Sequence, residues 1–266
     1  MHWVIQNNIA REERHQEFVE AVKRFGDPYT MVKVIPFAHE MEPDVNPEGP
    51  VIAIGSLTME RIVKAKGWSP GVYKNDNFDF RVWSEKWAGH IVNEDAVVCP
   101  FGEIPTDQEV FFCRPVLDNK AFTGQVFSLE EYQQWVIRLF TEYGASDLQF
   151  DINEVVLVSS PKNIQQEIRF YVVGGKPVTH SMYSMGGRVG YMEEHMTPPD
   201  AIAKAEEMIA MWQPAEAFTL DLAMVDGEYK VLEMGCINAA GLYFCNVGKL
   251  AQAFRDLTLD TASDRE

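Results

Sequence analysis

The segment FTLDLAMVDGEYKVLEM, residues 218–234, constrains the fold most. Two apolar runs flank Asp226-Gly227, a dipeptide that marks a hairpin turn. A two-residue loop would set Val225 opposite Glu228 and Glu233 opposite Leu220, mixing acids with leucines on each face. A three-residue loop, Asp226 to Glu228, instead pairs Val225 with Tyr229, Leu222 with Leu232 and Leu220 with Met234. One face then carries Phe218, Leu220, Leu222, Leu232 and Met234. The other carries Thr219, Asp221, Ala223, Val231 and Glu233. Register follows the hydrophobic pattern, so the three-residue loop is expected. It sets Asp221 directly opposite Glu233. Like charges so placed repel by roughly 0.2–1 kcal/mol. A divalent cation would relieve that repulsion, because magnesium takes one or two carboxylates and completes its shell with phosphate and water oxygens. The competing reading is a solvated sheet face with two unrelated acids.

Upstream, HWVIQ (2–6) reads as a strand and residues 10–26 as a helix with Phe18, Ala21, Val22 and Phe25 on one face. Strands are expected at 29–37 and 51–55, separated by a loop at 40–50 with three prolines. A helix capped by Ser56 or Thr58 follows at 56–67. This alternation suggests a small α/β domain, residues 1–94. A second region, 95–255, mixes strands at 109–115, 154–160 and 166–185 with helices at 128–144 and 200–213, an α+β pattern. In the first of these helices Ser128 and Glu131 form a capping box, Tyr132, Trp135, Val136 and Leu139 make one face, and Gly144 follows the end. Residues 256–266 read as a polar tail.

Charge narrows the partners. There are 23 Lys and Arg against 40 Asp and Glu, a net charge of −17. The chain lacks the basic footprint with which proteins neutralise nucleic-acid phosphates or meet anionic membranes, so neither partner is expected. A nucleotide needs only a few local cations. No apolar run reaches the length of a membrane span, and no signal-peptide pattern opens the chain, so a cytoplasmic protein is expected. Cys99, Cys113, Cys236 and Cys245 have no metal or redox spacing and read as free thiols of a reducing compartment. The six histidines show no zinc spacing.

The local cations lie in two places. VFFCRPVLDNKAFTG (110–124) delivers Arg114 from a strand into a polar loop with Lys120. In QEIRFYVV, alternation puts Glu167 and Arg169 on one face. Taken singly, each cation reads as a surface ion pair. In order, these segments, VVLVSS and the 218–234 hairpin resemble the ATP-grasp family, closest to a divergent bacterial and phage clade with Arg-Pro, at Arg114, in place of Lys-Pro. The resemblance covers roughly residues 95–250.

The resemblance implies an ATP-grasp fold, α+β / α/β, with an N-terminal α/β domain (1–94) that binds substrate. The ATP-grasp domain (95–255) would have two lobes with a hinge near 154–160 and Mg-ATP between them. Arg114, Lys120, Val156, Leu157, Val158, Glu167 and Arg169 would bind ATP. Asp221 and Glu233 would hold Mg2+. The family's metal-binding Asn is Gly235 here, so Asn238 is expected to supply that amide. Arg169 and Arg188 would be catalytic, although Arg188 in SMGGRVGY also reads as a solvated turn. The implied activity is ligation of a small-molecule or peptide carboxylate to an amine or thiol through an acyl-phosphate. A kinase-like phosphotransferase and a catalytically silent nucleotide-binding module are the alternatives.

Overall fold

A computed structural model describes residues 1–9, 13–35, 38–117, 122–141 and 152–263. Lys120, Gly144 and the first residues of the helix expected at 10–26 lie outside them. The chain divides into two compact units. One joins Met1–Asn75 to Ile164–Glu266, and the other is Asp76–Asn163.

The first unit opens with β1 (His2–Gln6), α1 (Glu13–Arg24), β2 (Tyr29–Ile35), β3 (Glu40–Glu42), β4 (Val51–Ile54), α2 (Leu57–Lys66) and β5 (Pro70–Gly71). Their sheet has the order β3-β2-β1-β4-β5. β1 pairs in parallel with β2 and β4, whereas β3 pairs antiparallel with β2 inside the expected loop. Every residue of β4 is buried, as befits a parallel strand covered on both faces. α1 buries Phe18, Ala21 and Val22, the face its spacing predicted. α2 stops at Gly67, whose φ of 66° lets its N–H return to the last carbonyls of the helix.

The second unit contains α3 (Phe80–Lys86), β6 (Val97–Pro100), β7 (Val110–Pro115), β8 (Gln125–Ser128), α4 (Leu129–Thr141) and β9 (Val155–Ser159). Its sheet has the order β6-β9-β7-β8. The capping box at α4 forms: the Ser128 N–H donates to Glu131 Oε2 at 2.8 Å, and the Glu131 N–H donates to Ser128 Oγ at 3.2 Å. Tyr132, Trp135, Val136 and Leu139 pack with Phe101, Phe111 and Phe127 as one core.

The chain re-enters the first unit with β10 (Ile164–Val173), β11 (Lys176–Met185), β12 (Arg188–Met192), α5 (Pro199–Met211), β13 (Ala217–Val225), β14 (Glu228–Gly235) and α6 (Val247–Ser263). The five strands form an antiparallel sheet, β12-β11-β10-β13-β14. Trp3, Phe18 and Ile54 from the N-terminal sheet region share one buried cluster with Tyr171, Ile237, Leu250 and Phe254. That shared core is why residues 1–75 fold with the C-terminal half, and why the chain divides at Asn75 and Asn163 rather than near residue 94. Helix also occupies the described part of the expected polar tail. α6 continues to Ser263, with Leu250, Ala251, Phe254 and Thr258 buried at helical spacing.

The hairpin differs from its expected form. Val225 faces Glu228 around a two-residue turn in which Asp226 and Gly227 adopt φ of 52° and 83°. Leu222 therefore faces Val231, not Leu232. A bulge between Asp221 and Leu222 leaves Leu232 unpaired and shifts the ladder by one residue. Beyond it, Leu220 faces Met234 and Asp221 faces Glu233. The opposition of the two acids survives, produced by a bulge rather than by a longer loop.

Candidate functional site

β10 brings the site together. Alternation along the strand puts Glu167, Arg169 and Tyr171 on one face. Arg169 is the ladder partner of Asp221 on β13 and of Ser181 on β11. Asp221 in turn faces Glu233 on β14. Three strands thus present Arg169, Asp221 and Glu233 side by side.

The guanidinium of Arg169 grips Asp221 with two bonds: Nε donates to Oδ1 at 2.8 Å and Nη2 to Oδ2 at 2.7 Å. Nη2 also lies 3.7 Å from Glu233 Oε1. The Tyr183 hydroxyl lies 3.0 Å from Glu167 Oε2 and 3.2 Å from Asp221 Oδ2, placed to donate to either acid. The Arg169 guanidinium sits 5.7 Å from the Tyr183 ring centroid and 5.0 Å from that of Tyr243. The rings of Tyr183, Tyr243 and Tyr191 stack in series at 5.0 and 5.1 Å. Tyr243 reaches this place with φ at 46°, an unusual backbone for a non-glycine residue.

Access separates the two acids. The side chain of Asp221 is 1% exposed and that of Glu233 is 40% exposed. Burial raises the Asp221 carboxyl above its ordinary range, against the pull of the Arg169 charge, and the nearby Glu233 adds to the rise. Burial also acts to lower Arg169, but Asp221 outweighs it and holds the guanidinium well above its ordinary value. Tyr183 is driven well above its ordinary value by burial and then by Asp221, Glu167 and Glu233. The site is therefore a fixed cation between a buried acid and an accessible one, walled by Tyr183 and Tyr243, whose hydroxyls burial keeps protonated.

The sequence matches the model of an ATP-grasp domain family, the third family of its clade, over residues 35–257. The chain belongs to this ATP-grasp family. The fold agrees with solved ATP-grasp structures. It superposes on a RimK domain protein ATP-grasp from Sphaerobacter thermophilus with a TM-score of 0.65 at 15% identity, covering 97% of this chain and 100% of that one. The D-alanine–D-alanine ligase from Bacillus anthracis, complexed with ATP, gives 0.60 at 12% identity, with 99% and 98% covered. The ATP-grasp ligase PsnB, complexed with a minimal precursor, gives 0.55 at 12%, with 97% and 98% covered. No curated protein matches the sequence.

Within this ATP-grasp fold, the residues singled out from the sequence fall into several groups. Glu167, Arg169, Asp221 and Glu233 are brought together. Asn238 has a structural use. It is 3% exposed, its Oδ1 accepts from the Tyr73 N–H at 2.9 Å, and its Nδ2 donates to the Ala53 carbonyl at 2.9 Å. The amide ties two backbone segments of the N-terminal sheet region to the loop after β14. Arg188 is exposed and opens the edge strand β12, opposite Met185, after a turn at Gly186-Gly187. It closes the turn and begins the strand.

In the second unit, Arg114 lies on β7 opposite Leu157. Gly124 packs close to it: a Cβ there would come 3.0 Å from the Arg114 Cβ. Val156, Leu157 and Val158 sit on the central strand β9, paired with β6 on one side and β7 on the other. All three are buried, so their side chains serve the core and their backbone is taken up by two ladders. Tyr183 and Tyr243 were not anticipated. Tyr183 stands beside a β10–β11 bulge that shifts its alternation, and Tyr243 lies in a loop with no periodicity to read.

Proposed function

We propose that the protein is an ATP-dependent ligase joining a carboxylate to an amine or thiol through an acyl-phosphate. The observation that carries the reading is the row Arg169, Asp221, Glu233 across three neighbouring strands of an ATP-grasp fold. Family membership points the same way, as do two of the related structures, a ligase complexed with ATP and a ligase complexed with a minimal precursor.

In such a reaction a carboxylate oxygen attacks the γ-phosphorus and ADP leaves. The nucleophile then attacks the acyl carbon, phosphate leaves, and the nucleophile loses a proton. The protein contributes position and charge. Arg169, held cationic by Asp221 through its Nε and Nη2, keeps its Nη1 donors for an anion. Arg188, on the edge strand β12 of the same sheet, is proposed to add positive charge.

Of the two acids Glu233 has accessible oxygens, whereas Asp221 is 1% exposed with both oxygens engaged by Arg169 and Tyr183 and would have to give up part of that pairing to bind a divalent cation. Magnesium uses one or two carboxylates with substrate phosphates rather than an all-protein cage. Among the described residues no group of three or more His, Cys, Asp or Glu is arranged as such a cage, whereas Asp221 and Glu233 are directly opposed. Glu233 offers accessible oxygens, and Asp221 shares its charge with Arg169. When bound, the metal neutralises phosphate charge.

The deciding experiment measures ADP release against pools of carboxylates and amines. Release that needs both partners supports the ligase. Release with a phosphorylated product and no need of a nucleophile replaces it with a phosphotransferase, and nucleotide binding without turnover replaces it with a silent module. Asp221→Ala, Glu233→Ala should abolish magnesium-dependent ATP binding in calorimetry. Unchanged affinity would remove both acids from the metal site.

A further inference from the structure

Tyr243 lies in the loop after β14 with φ at 46°, a backbone region that a tyrosine keeps only where its surroundings hold it. Three side chains supply the hold. The Tyr171 hydroxyl donates to the Gly241 carbonyl, the Phe244 N–H donates to Ser181 Oγ at 3.2 Å, and the Asn246 N–H donates to Thr179 Oγ1 at 2.7 Å. In the β10–β11 ladder Thr179 stands opposite Tyr171, and Ser181 stands opposite Arg169. The loop is therefore fastened, on both sides of Tyr243, to the strand that carries Arg169 and to its neighbour.

The fastening sets a ring against the guanidinium. The Arg169 Cζ lies 5.0 Å from the Tyr243 centroid and 5.7 Å from that of Tyr183, and the two rings are 5.0 Å apart with their planes at 27°. The three centres make a nearly equilateral triangle, so the guanidinium rests against both rings at once. Tyr191 stacks on Tyr243 in turn at 5.1 Å and 18°, Phe244 lies 5.9 Å from Tyr191, and the Arg14 guanidinium covers Phe244 at 4.9 Å. The column thus runs from Arg169 to the surface, where Tyr191 and Phe244 are exposed.

Asp221 takes the Nε and Nη2 donors of Arg169 and leaves those of Nη1. Two bonds to one carboxylate fix a guanidinium along one edge, but they resist a swing about that edge only weakly. Aromatic rings within about 6 Å attract the cation and restrain that swing. We propose that Tyr243 is a positioning residue for Arg169: its ring, held by the three bonds of its loop, fixes the guanidinium so that the Nη1 donors meet a phosphate of the bound nucleotide. The inference rests on the nucleotide-binding part of the ligase reading for its ligand, but the positioning itself is measured without nucleotide or turnover.

The test reads rotation about the Nε–Cζ bond of Arg169 by heteronuclear NMR on the full chain without nucleotide, the signals being assigned by their loss in Arg169→Lys. MgATP affinity is measured beside it by calorimetry. Tyr243→Leu removes the ring and should speed the rotation and weaken MgATP by about ten-fold each, the order of a lost, partly desolvated cation–aromatic contact. Tyr243→Asn removes the ring with a residue that tolerates the positive φ, and should give the same two changes without backbone strain. Tyr243→Phe keeps the ring and should match the unsubstituted chain in both. Unchanged rotation in the Leu and Asn variants overturns the proposal, and so does a Phe variant that rotates as fast as the Leu variant. Faster rotation with unchanged MgATP affinity overturns it as well, because the fixed donors would then serve no phosphate. Faster rotation and weaker MgATP without ATP-dependent coupling of any carboxylate overturn the ligase reading and leave the positioning role standing. Coupling with unaltered rotation in the ring-less variants does the reverse.

Discussion

Arg169 and Asp221 are ladder partners on adjacent strands and close two parallel hydrogen bonds of 2.8 and 2.7 Å with almost no solvent around them. A buried pair of this kind contributes little net stability while intact, because desolvation offsets the attraction. Its loss is another matter, since one charge is left alone in a medium that cannot solvate it.

Asp221→Ala is therefore expected to destabilise the first unit by about 3–5 kcal/mol, and Arg169→Met combined with Asp221→Leu by much less. Urea unfolding of the two variants measures the difference. A double variant as unstable as the single one would show that the pair itself, not the stranded charge, carries the energy.

Asn238→Ala strands the Tyr73 N–H and the Ala53 carbonyl, each worth about 1–3 kcal/mol when left unsatisfied. The variant should melt at lower temperature yet bind MgATP with unchanged affinity. A loss of magnesium-dependent affinity in calorimetry would place Asn238 at the metal site.

Gly227 has φ at 83° with nothing within 4 Å of where a Cβ would stand. Gly227→Ala should cost about 1–2 kcal/mol from backbone strain alone. Gly227→Asn, which tolerates this conformation better, should recover part of it, and chemical denaturation reads both. An unstrained alanine would mean that the hairpin turn re-forms as the three-residue loop.

Asp95 gives a pH signature in the second unit. Burial acts to raise its carboxyl, but the Lys162 ammonium and the Ser160 hydroxyl and N–H outweigh that and hold it at about 2. A lowered carboxylate stabilises above its unfolded value near 3.8, and the gain is lost as pH falls through about 2. Asp95→Asn should flatten the acid limb of the stability curve between those values. An identical limb in the variant would assign acid unfolding to other carboxylates.

Local patterns were enough for much of the fold. The buried face of α1, the cap and core face of α4, and the strand at 2–6 follow from the spacing of apolar and capping residues, because each is decided within one or two turns of chain. The resemblance placed Arg169, Asp221 and Glu233 in one site, and the structure brings them side by side. The hairpin shows the limit. Alternation correctly required Asp221 opposite Glu233, but a bulge at Leu232 and a loop of different length satisfy it equally, and the sequence pattern does not distinguish the two.

What the sequence by itself determined is therefore the elements whose signals are local, such as β1, α1 and α4, and the family they belong to. The domain division, the burial of Asp221 beneath Arg169, the tyrosine wall and the structural use of Asn238 were decided by tertiary packing. Asn238 lies 165 positions from Tyr73 and 185 from Ala53. Whether an amide binds a ligand or closes a backbone gap depends on which distant N–H and carbonyl arrive beside it, and no local periodicity encodes that meeting.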